Sequence, residues 1–147
     1  MNKSKQLRMI EMRINSGVEQ ISQLSVSSRA LALLNNFSEK QSSEIELAVN
    51  EAVTNVIEHA YEEDETRPII MKLNFTNDEM IIEILDQGIA APEKLLQSAK
   101  KEFADLPDDP NEIDEGGRGL TLMLNLMDEV EIKTDDNWNI LRMKKRH

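Results

Sequence analysis

The 147-residue chain is 31% charged and 39% hydrophobic with a net charge of −11, a balance that fits one folded globular domain with a sizeable core better than a disordered chain. The acidity disfavours nucleic acid as a partner, because a phosphate backbone would be repelled, and any phosphate ligand would need a divalent cation and local N–H donors to offset the field. There is no cysteine, which removes disulfide frameworks and thiolate metal sites and is compatible with a reducing compartment.

The first residues lead into no apolar leader, and no apolar run reaches membrane-spanning length, so the expected location is cytoplasmic with no membrane contact. Ile10, Met12 and Ile14 alternate with Glu11 and Arg13, predicting a short half-buried strand. Val18, Ile21, Leu24, Leu31 and Leu34 follow a helical period that ends near Asn35-Asn36. Ser38 with Gln41 three residues on reads as a capping box, and Phe37 stands at the staple position before it. The helix so opened runs to about Tyr61. Residues 62–65 read as a solvated acidic loop. Pro68 begins a strand in which Ile69, Met71, Leu73 and Phe75 face one way, and residues 76–79 turn it into a second strand over residues 80–85. Val130, Ile132 and Thr134 alternate before a turn at residues 135–137 and a last strand over residues 138–143. The basic residues beyond, Arg142, Lys144, Lys145 and Arg146, read as a solvated strand end. Hairpins plus an N-terminal strand, with helices in a block between strands, predict an α+β two-layer sandwich: a mixed, mostly antiparallel sheet covered on one face by helices.

Between Asp86 and Leu120 the periodicity breaks down. This stretch holds four of the five glycines and three of the four prolines. A helical turn or two fits residues 92–103, residues 105–115 have no apolar period, and a helix is expected from Leu120 to about Met127. A loop of that length in a small domain points to function or disorder, and its place between a strand-ending Asp86 and a helix favours function.

Three motifs flank or precede that segment. In the helix over residues 44–61 the apolar stripe is Ile45, Val49, Ala52, Val56 and Ala60. Glu51, Asn55 and His59 sit four apart at its edge, where they form either a cleft wall or a solvated face. Asp86-Gln87-Gly88 places an acidic acceptor, able to take a hydrogen bond from an exocyclic amine, beside a glycine that lets a flat ring approach the backbone. An ordinary Asp-x-Gly turn is the other reading. Gly116-Gly117-Arg118-Gly119-Leu120 is a glycine-rich turn feeding a helix N-terminus. It is either a flexible connector or a phosphate site of backbone N–H groups with Arg118 adding charge.

In this order and spacing the motifs make the chain resemble the Bergerat-fold (GHKL) ATPases, the superfamily of histidine-kinase catalytic domains and gyrase. Glu51, Asn55 and His59 resemble the N-box, Asp86-Gln87-Gly88 the first glycine box and residues 116–119 the second. The phrase Asn50-Glu51-Ala52-Val53-Thr54-Asn55 with His59-Ala60-Tyr61, on a single domain over residues 1–147, is similar to the anti-sigma-factor serine/threonine kinases of bacterial partner-switching systems. The resemblance covers nearly the whole chain and implies ATP and Mg²⁺ as cofactors. It implies Asn55 as metal and nucleotide ligand, Glu51 as general base, and Asp86 as reader of the adenine amine with Gly88 giving room near the base. It implies a lid over about residues 88–117, with Gly116, Gly117, Arg118, Gly119 and Leu120 at the phosphates. His59 is expected to be structural, and Lys94, Lys100 and Lys101 are candidate phosphate contacts or a solvated face. One departure stands out: the first box usually reads Asp-x-Gly-x-Gly, and here the second glycine is Ala90, which would be strained at positive φ.

The function implied by the resemblance is that of an ATP-dependent protein serine kinase that phosphorylates a STAS-type antagonist and sequesters a sigma factor or other regulator, with a homodimer expected from the habit of relatives. The alternative, suggested by Ala90, is a catalytically weak nucleotide-binding module that acts by binding alone. A histidine-kinase catalytic domain fits less well, since neither His59 nor His147 lies on a preceding dimerisation helix. Gyrase-like ATPases would need a transducer domain.

Overall fold

The computed structural model describes residues 8–104 and 115–147, and of residues 93, 102–104 and 115–118 the backbone alone. Five strands, β1 (Arg8–Asn15), β2 (Pro68–Phe75), β3 (Glu79–Asp86), β4 (Glu129–Asp135) and β5 (Trp138–Arg146), form one sheet in the order β1-β2-β3-β5-β4. All four ladders are antiparallel. The period-2 pattern read from the sequence fixes the register: Ile69, Met71, Leu73 and Phe75 of β2 and Met80, Ile82 and Ile84 of β3 are buried on the helix-facing side. A one-residue slip would turn that row to the other face, where a small cluster of Ile70, Leu85 and Ile140 with Trp138 adjoins charged pairs such as Glu83–Arg142.

Four helices, α1 (Ile21–Leu34), α2 (Glu39–Asn55), α3 (Glu93–Ala104) and α4 (Glu115–Leu126), complete the α+β sandwich. The stripe of α2 enters the core as predicted, with Ile45, Val49 and Ala52 essentially inaccessible. Its start is set by the capping box: the Ser38 hydroxyl accepts the Gln41 N–H and the Gln41 carboxamide accepts the Ser38 N–H, both at 3.1 Å, a device worth about 1 kcal/mol. Phe37 is buried beside it and stacks on His147 with ring centroids 3.9 Å apart.

Two expectations for α1 fail. Val18 lies in a 3₁₀ turn ahead of the helix (Val18–Gln20) and is 60% exposed, and Leu34 is 76% exposed. The buried stripe is Leu24, Ser25, Ser28 and Ala32, and at about 100° per residue Leu34 falls well off it. Small polar residues thus occupy core-facing positions that a hydrophobicity pattern passes over. Lys145 is a further correction. It is not part of a solvated strand end but is buried, with Nζ donating to Glu44 Oε2 at 2.7 Å and to the Leu126 carbonyl. One ammonium therefore ties the start of α2 to the C-terminal end of α4, where a cation complements the helix dipole.

Candidate functional site

The site begins where α2 ends. Asn55 closes the α-helix, and Val56–Ala60 continue it as one wide π-helical turn, seen in the Tyr61 N–H donating to the Val56 carbonyl at 2.9 Å. Such turns mark places where the regular ladder has been altered to serve a site. Ala60 is the last residue of that turn, and its carbonyl, free of the helix ladder, accepts the Ile89 N–H at 2.9 Å. Gly88 packs directly over the same group: a Cβ at position 88 would stand 2.2 Å from the Ala60 carbonyl oxygen. The glycine of the first box is therefore demanded by the helix behind it. Its φ is not positive, so what demands a glycine here is close backbone packing.

Asp86 ends β3 on the helix-facing side of the sheet, only 6% exposed. Its Oδ1 accepts the Gly88 N–H at 2.9 Å and Asn139 Nδ2–H at 2.8 Å; among the described residues no donor reaches Oδ2. Burial pushes its carboxyl above the ordinary range, while the bonds from Asn139 and Gly88 and the Arg67 charge oppose the shift. A strap behind it holds the following residue: Tyr61 Oη accepts the Gln87 N–H at 2.8 Å and donates to the Pro68 carbonyl, while Arg67 lies 4.5 Å over the Tyr61 ring and donates to the Gln87 carbonyl. Burial raises the Tyr61 hydroxyl as well, which keeps it a donor.

Helix α4 brings the second glycine box to α2. Gly119 is the contact: a Cβ there would lie 2.9 Å from Asn55 Nδ2 and 3.3 Å from Glu51 Oε2. The structure so joins the two side chains singled out on α2 with the glycine singled out some sixty residues later. Between these groups lies a cavity of about 400 Å³, lined among others by Asn55, Asp86, Leu95, Met123, Asn139 and Leu120, a size that falls within the range of roughly 300–1,000 Å³ usual for small-molecule sites. Its polar lining includes Asn55 and Asp86. Its apolar lining includes Val56, Leu95 and Met123, surfaces on which a flat heterocycle can pack.

Several expectations need adjustment. Gly116, Gly117 and Arg118 are not a turn before a helix from Leu120; they are helical, inside the first turns of α4, and only their backbone is described. Glycines are poor helix formers, so sequence propensity placed the start too late, whereas packing of Gly119 on α2 offsets the cost. The helical turn or two expected over residues 92–103 is the full helix α3, with Ala99 buried and Leu95 and Leu96 packed beside the core. Residues 105–114 of the expected lid lie outside the described residues. Lys94, Lys100 and Lys101 are exposed. His59 is not packed in the core: its side chain is 77% exposed, 4.0 Å from Glu58, and it borders the cavity. Ala90 also lines the cavity and does not adopt positive φ, so the strain that motivated a weakened site is absent. Tyr61, Arg67 and Asn139 are the residues sequence reasoning missed. Tyr61 stood in the quoted phrase without a role, and Asn139 carried no signal except its place in the last strand, opposite Asp86 in the ladder.

The residues fit a nucleotide and Mg²⁺. Asn55 offers a carboxamide oxygen, a hard ligand, at the cavity edge. Among the described residues no group of three or more His, Asp or Glu side chains could hold a metal.

The histidine kinase-like ATPase domain matches residues 14–145, and the chain belongs to that family. Its relatives there include anti-sigma factors and serine-protein kinases. Two anti-sigma F factors of Clostridium perfringens are 35% identical over 95 residues (65% of this chain, 64% of theirs) and 34% identical over 105 residues (71% of each). The serine-protein kinase RsbW of Bacillus licheniformis is 29% identical over 139 residues, 92% of this chain and 84% of its own. The crystal structure of the RsbU and RsbW domains of a Mycobacterium tuberculosis protein matches with a TM-score of 0.66 at 13% identity, covering 95% of this chain and 32% of that one, a likeness of fold. The expectation of a Bergerat-fold ATPase akin to the anti-sigma-factor kinases is met. Among the described residues no helix is long and apolar enough to cross a membrane.

Proposed function

We propose that this chain is an ATP-dependent protein serine kinase of a partner-switching pathway, acting in the cytoplasm on a STAS-type antagonist and holding a sigma factor or another regulator while the antagonist is phosphorylated. The single observation that carries the reading is the three-way contact of Gly119 with Asn55 and Glu51. It brings a carboxylate and a carboxamide to the helix whose first N–H groups, from Glu115 onward, have no partner within α4.

Each group then has a task. Asp86 fixes the base end of ATP by accepting from an exocyclic amine. The α4 N–H groups, with Arg118, bind phosphate oxygens. Asn55 would hold Mg²⁺, which when bound neutralises charge on the transferring phosphates. Glu51, one turn before Asn55 on the same face, takes the proton from the attacking serine hydroxyl as that oxygen bonds to the γ-phosphorus and ADP departs. In the acidic field of this chain the metal and the N–H groups are what make a tetra-anionic ligand tolerable.

The test is phosphoryl transfer from Mg-ATP to a cognate antagonist, read beside ATP binding by wild type and Asn55→Ala. Transfer that is lost with Asn55 supports the reading; binding of antagonist and ATP without any transfer sinks the kinase assignment, and equal ATP binding by both proteins removes the site. The homodimer expected by resemblance is read by light scattering at the assay concentration.

A further inference from the structure

A second cavity, of about 500 Å³, shares only Ala91 and Ile132 with the first. Leu96 and Lys100 of α3 line one side, and the consecutive residues Glu131, Ile132, Lys133 and Thr134 of β4 line the other. Successive side chains of a strand point to opposite faces, so a cavity lined by four residues in a row runs along the edge of β4 and not above one face. That edge is an end of the sheet, where β4 pairs with β5 alone. The β4–β5 hairpin turns on two residues, Asp136 and Asn137, both at positive φ, the type I′ geometry. Such a turn bonds its first and fourth residues, here Asp135 and Trp138, and ladder bonding alternates from there. The N–H and C=O groups of Thr134 and Ile132 therefore point away from β5, and no turn or loop backbone among the described residues bonds to them. Neither Lys100 nor Lys133 has an ion pair among the described residues. Glu131 stands opposite Arg142 in the ladder, which offsets its charge.

We propose that this groove is a docking site for an extended segment of a partner protein, one that alternates acidic and apolar residues and adds to β4 as a further strand. Its main chain pairs with Ile132 and Thr134 and supplies the affinity, while alternate side chains supply the specificity. Side chains on the helix-facing side pack against Ile132 and Leu96, and those on the open face lie beside Lys133. In a chain of net charge −11, a groove with two lysines free of ion pairs selects an acidic occupant. A bare segment fits the groove better than the β4 of a second copy, which would bring its own α3 to the same strip. The strand runs seven residues without a proline, so two common devices for blunting an exposed edge are absent from it.

The probe is a fluorescein-labelled hexapeptide of alternating glutamate and valine, titrated into the full chain and read by fluorescence anisotropy. Its lysine–valine counterpart and a version methylated on every backbone nitrogen are the controls. The acidic peptide is expected to bind with a Kd below about 1 mM, at least about tenfold tighter than either control, and more weakly as salt is added. Absence of saturable binding by the acidic peptide, or equal affinity in either control, overturns the proposal. Thr134→Pro removes one outward N–H without touching a bond to β5. Binding at least about tenfold weaker, with unchanged circular dichroism, is expected; unchanged affinity overturns the proposal. If that variant does not fold, the double variant Lys100→Glu, Lys133→Glu decides: the preference is expected to turn to the lysine–valine peptide, and an unchanged preference overturns the proposal. A dimer of the chain that the acidic peptide disperses, seen by light scattering, would assign the groove to a second copy and overturn it equally.

Discussion

The two ends of the cavity are built in opposite ways. At the Asp86 end the polar groups are tied to one another: the carboxylate, the Gln87 and Gly88 backbone, Asn139 and Tyr61 form bonds of 2.6–2.9 Å together with Arg67, and Gly88 is wedged against the Ala60 carbonyl. At the α4 end, Glu51 and Asn55 are half-buried, neither side chain has a hydrogen-bond partner among the described residues, and what positions them is van der Waals packing against Gly119. A recognition end gains from being fixed before the ligand arrives, since the ordering entropy is then lost on folding and not on binding. A reacting end must keep its oxygens available for a metal and a hydroxyl. The contrast predicts that changes at the α4 end act on rate and leave the fold intact, while changes at the Asp86 end act on the fold and on affinity.

The sharpest test of the reacting end is Glu51→Gln, which keeps volume and removes the base. Phosphoryl transfer is expected to fall by about 10²–10⁴, with ATP affinity and melting temperature near wild type; a variant that transfers at the wild-type rate removes Glu51 from the mechanism. At the tied end Gly88→Ala is expected to act on stability. A Cβ 2.2 Å from the Ala60 oxygen and 2.5 Å from its carbon meets backbone, which has no rotamer to yield. Separating β3 from the π-helical turn costs about 3 kcal/mol, read as a lower urea midpoint with an unchanged slope. An Ala variant as stable as wild type would show that the two segments are not wedged.

Much of this contrast was legible in the sequence and part of it was not, for physical reasons. Side-chain period revealed β2, β3 and the α2 stripe because each buries one face, so a slip of one residue would be ruinous. The capping box and the Phe37 staple position were readable because they are local. Glu51, Asn55, Asp86 and Gly119 were singled out because their residue types and order match the family's motifs, and the structure brings Glu51 and Asn55 to Gly119 and lines one cavity with Asn55, Asp86 and Gly119. The strap was not legible: Tyr61 and Arg67 act through contacts with Gln87 some twenty residues away, and no local pattern encodes them. Asn139 needed the β3–β5 register before it could be placed beside Asp86. Gly88 was noticed as room near a base, and what the structure shows against it is the Ala60 carbonyl, since a glycine says that something comes close and not what does. The start of α4 was misplaced because helix propensity argues against three glycines in four residues, and tertiary packing prevailed.

The pH dependence of Asp86 separates recognition from stability at the tied end. Burial raises its folded-state carboxyl above the ordinary value of 3.8, so the folded state holds a proton that the unfolded chain has released. Stability contributed by that proton is complete below about 3.8 and is lost as pH rises through the folded value. Where Asp86 is ionised, its buried charge is a net cost to the fold. Asp86→Asn keeps an Oδ1 acceptor for Gly88 and Asn139 and carries no charge. It is therefore expected to be at least as stable as wild type at about pH 7, with the advantage growing as pH rises from about 4. ATP affinity is expected to fall about 10–100-fold, since a bond to a charged acceptor is replaced. Parallel losses of stability and affinity across that range would mean that Asp86 serves the fold and not the ligand.

The smallest expected effect on stability is also the most decisive for the comparison. Gly119→Ala puts a methyl group 2.9 Å from Asn55 Nδ2 and 3.3 Å from Glu51 Oε2, both ends of flexible side chains, unlike the backbone that confronts Gly88. The clash is relieved by rotating those side chains, and alanine returns about 1 kcal/mol of helix propensity to α4. Net stability should stay within about 1 kcal/mol of wild type, so unfolding cannot account for a loss of activity. The methyl group instead displaces the two side chains assigned to metal and proton by on the order of 1 Å, which in a positioned site is enough to lower transfer about a hundredfold. ATP affinity should be untouched. A stable Gly119→Ala protein with full transfer activity would mean that the contact carrying the proposed function is only packing.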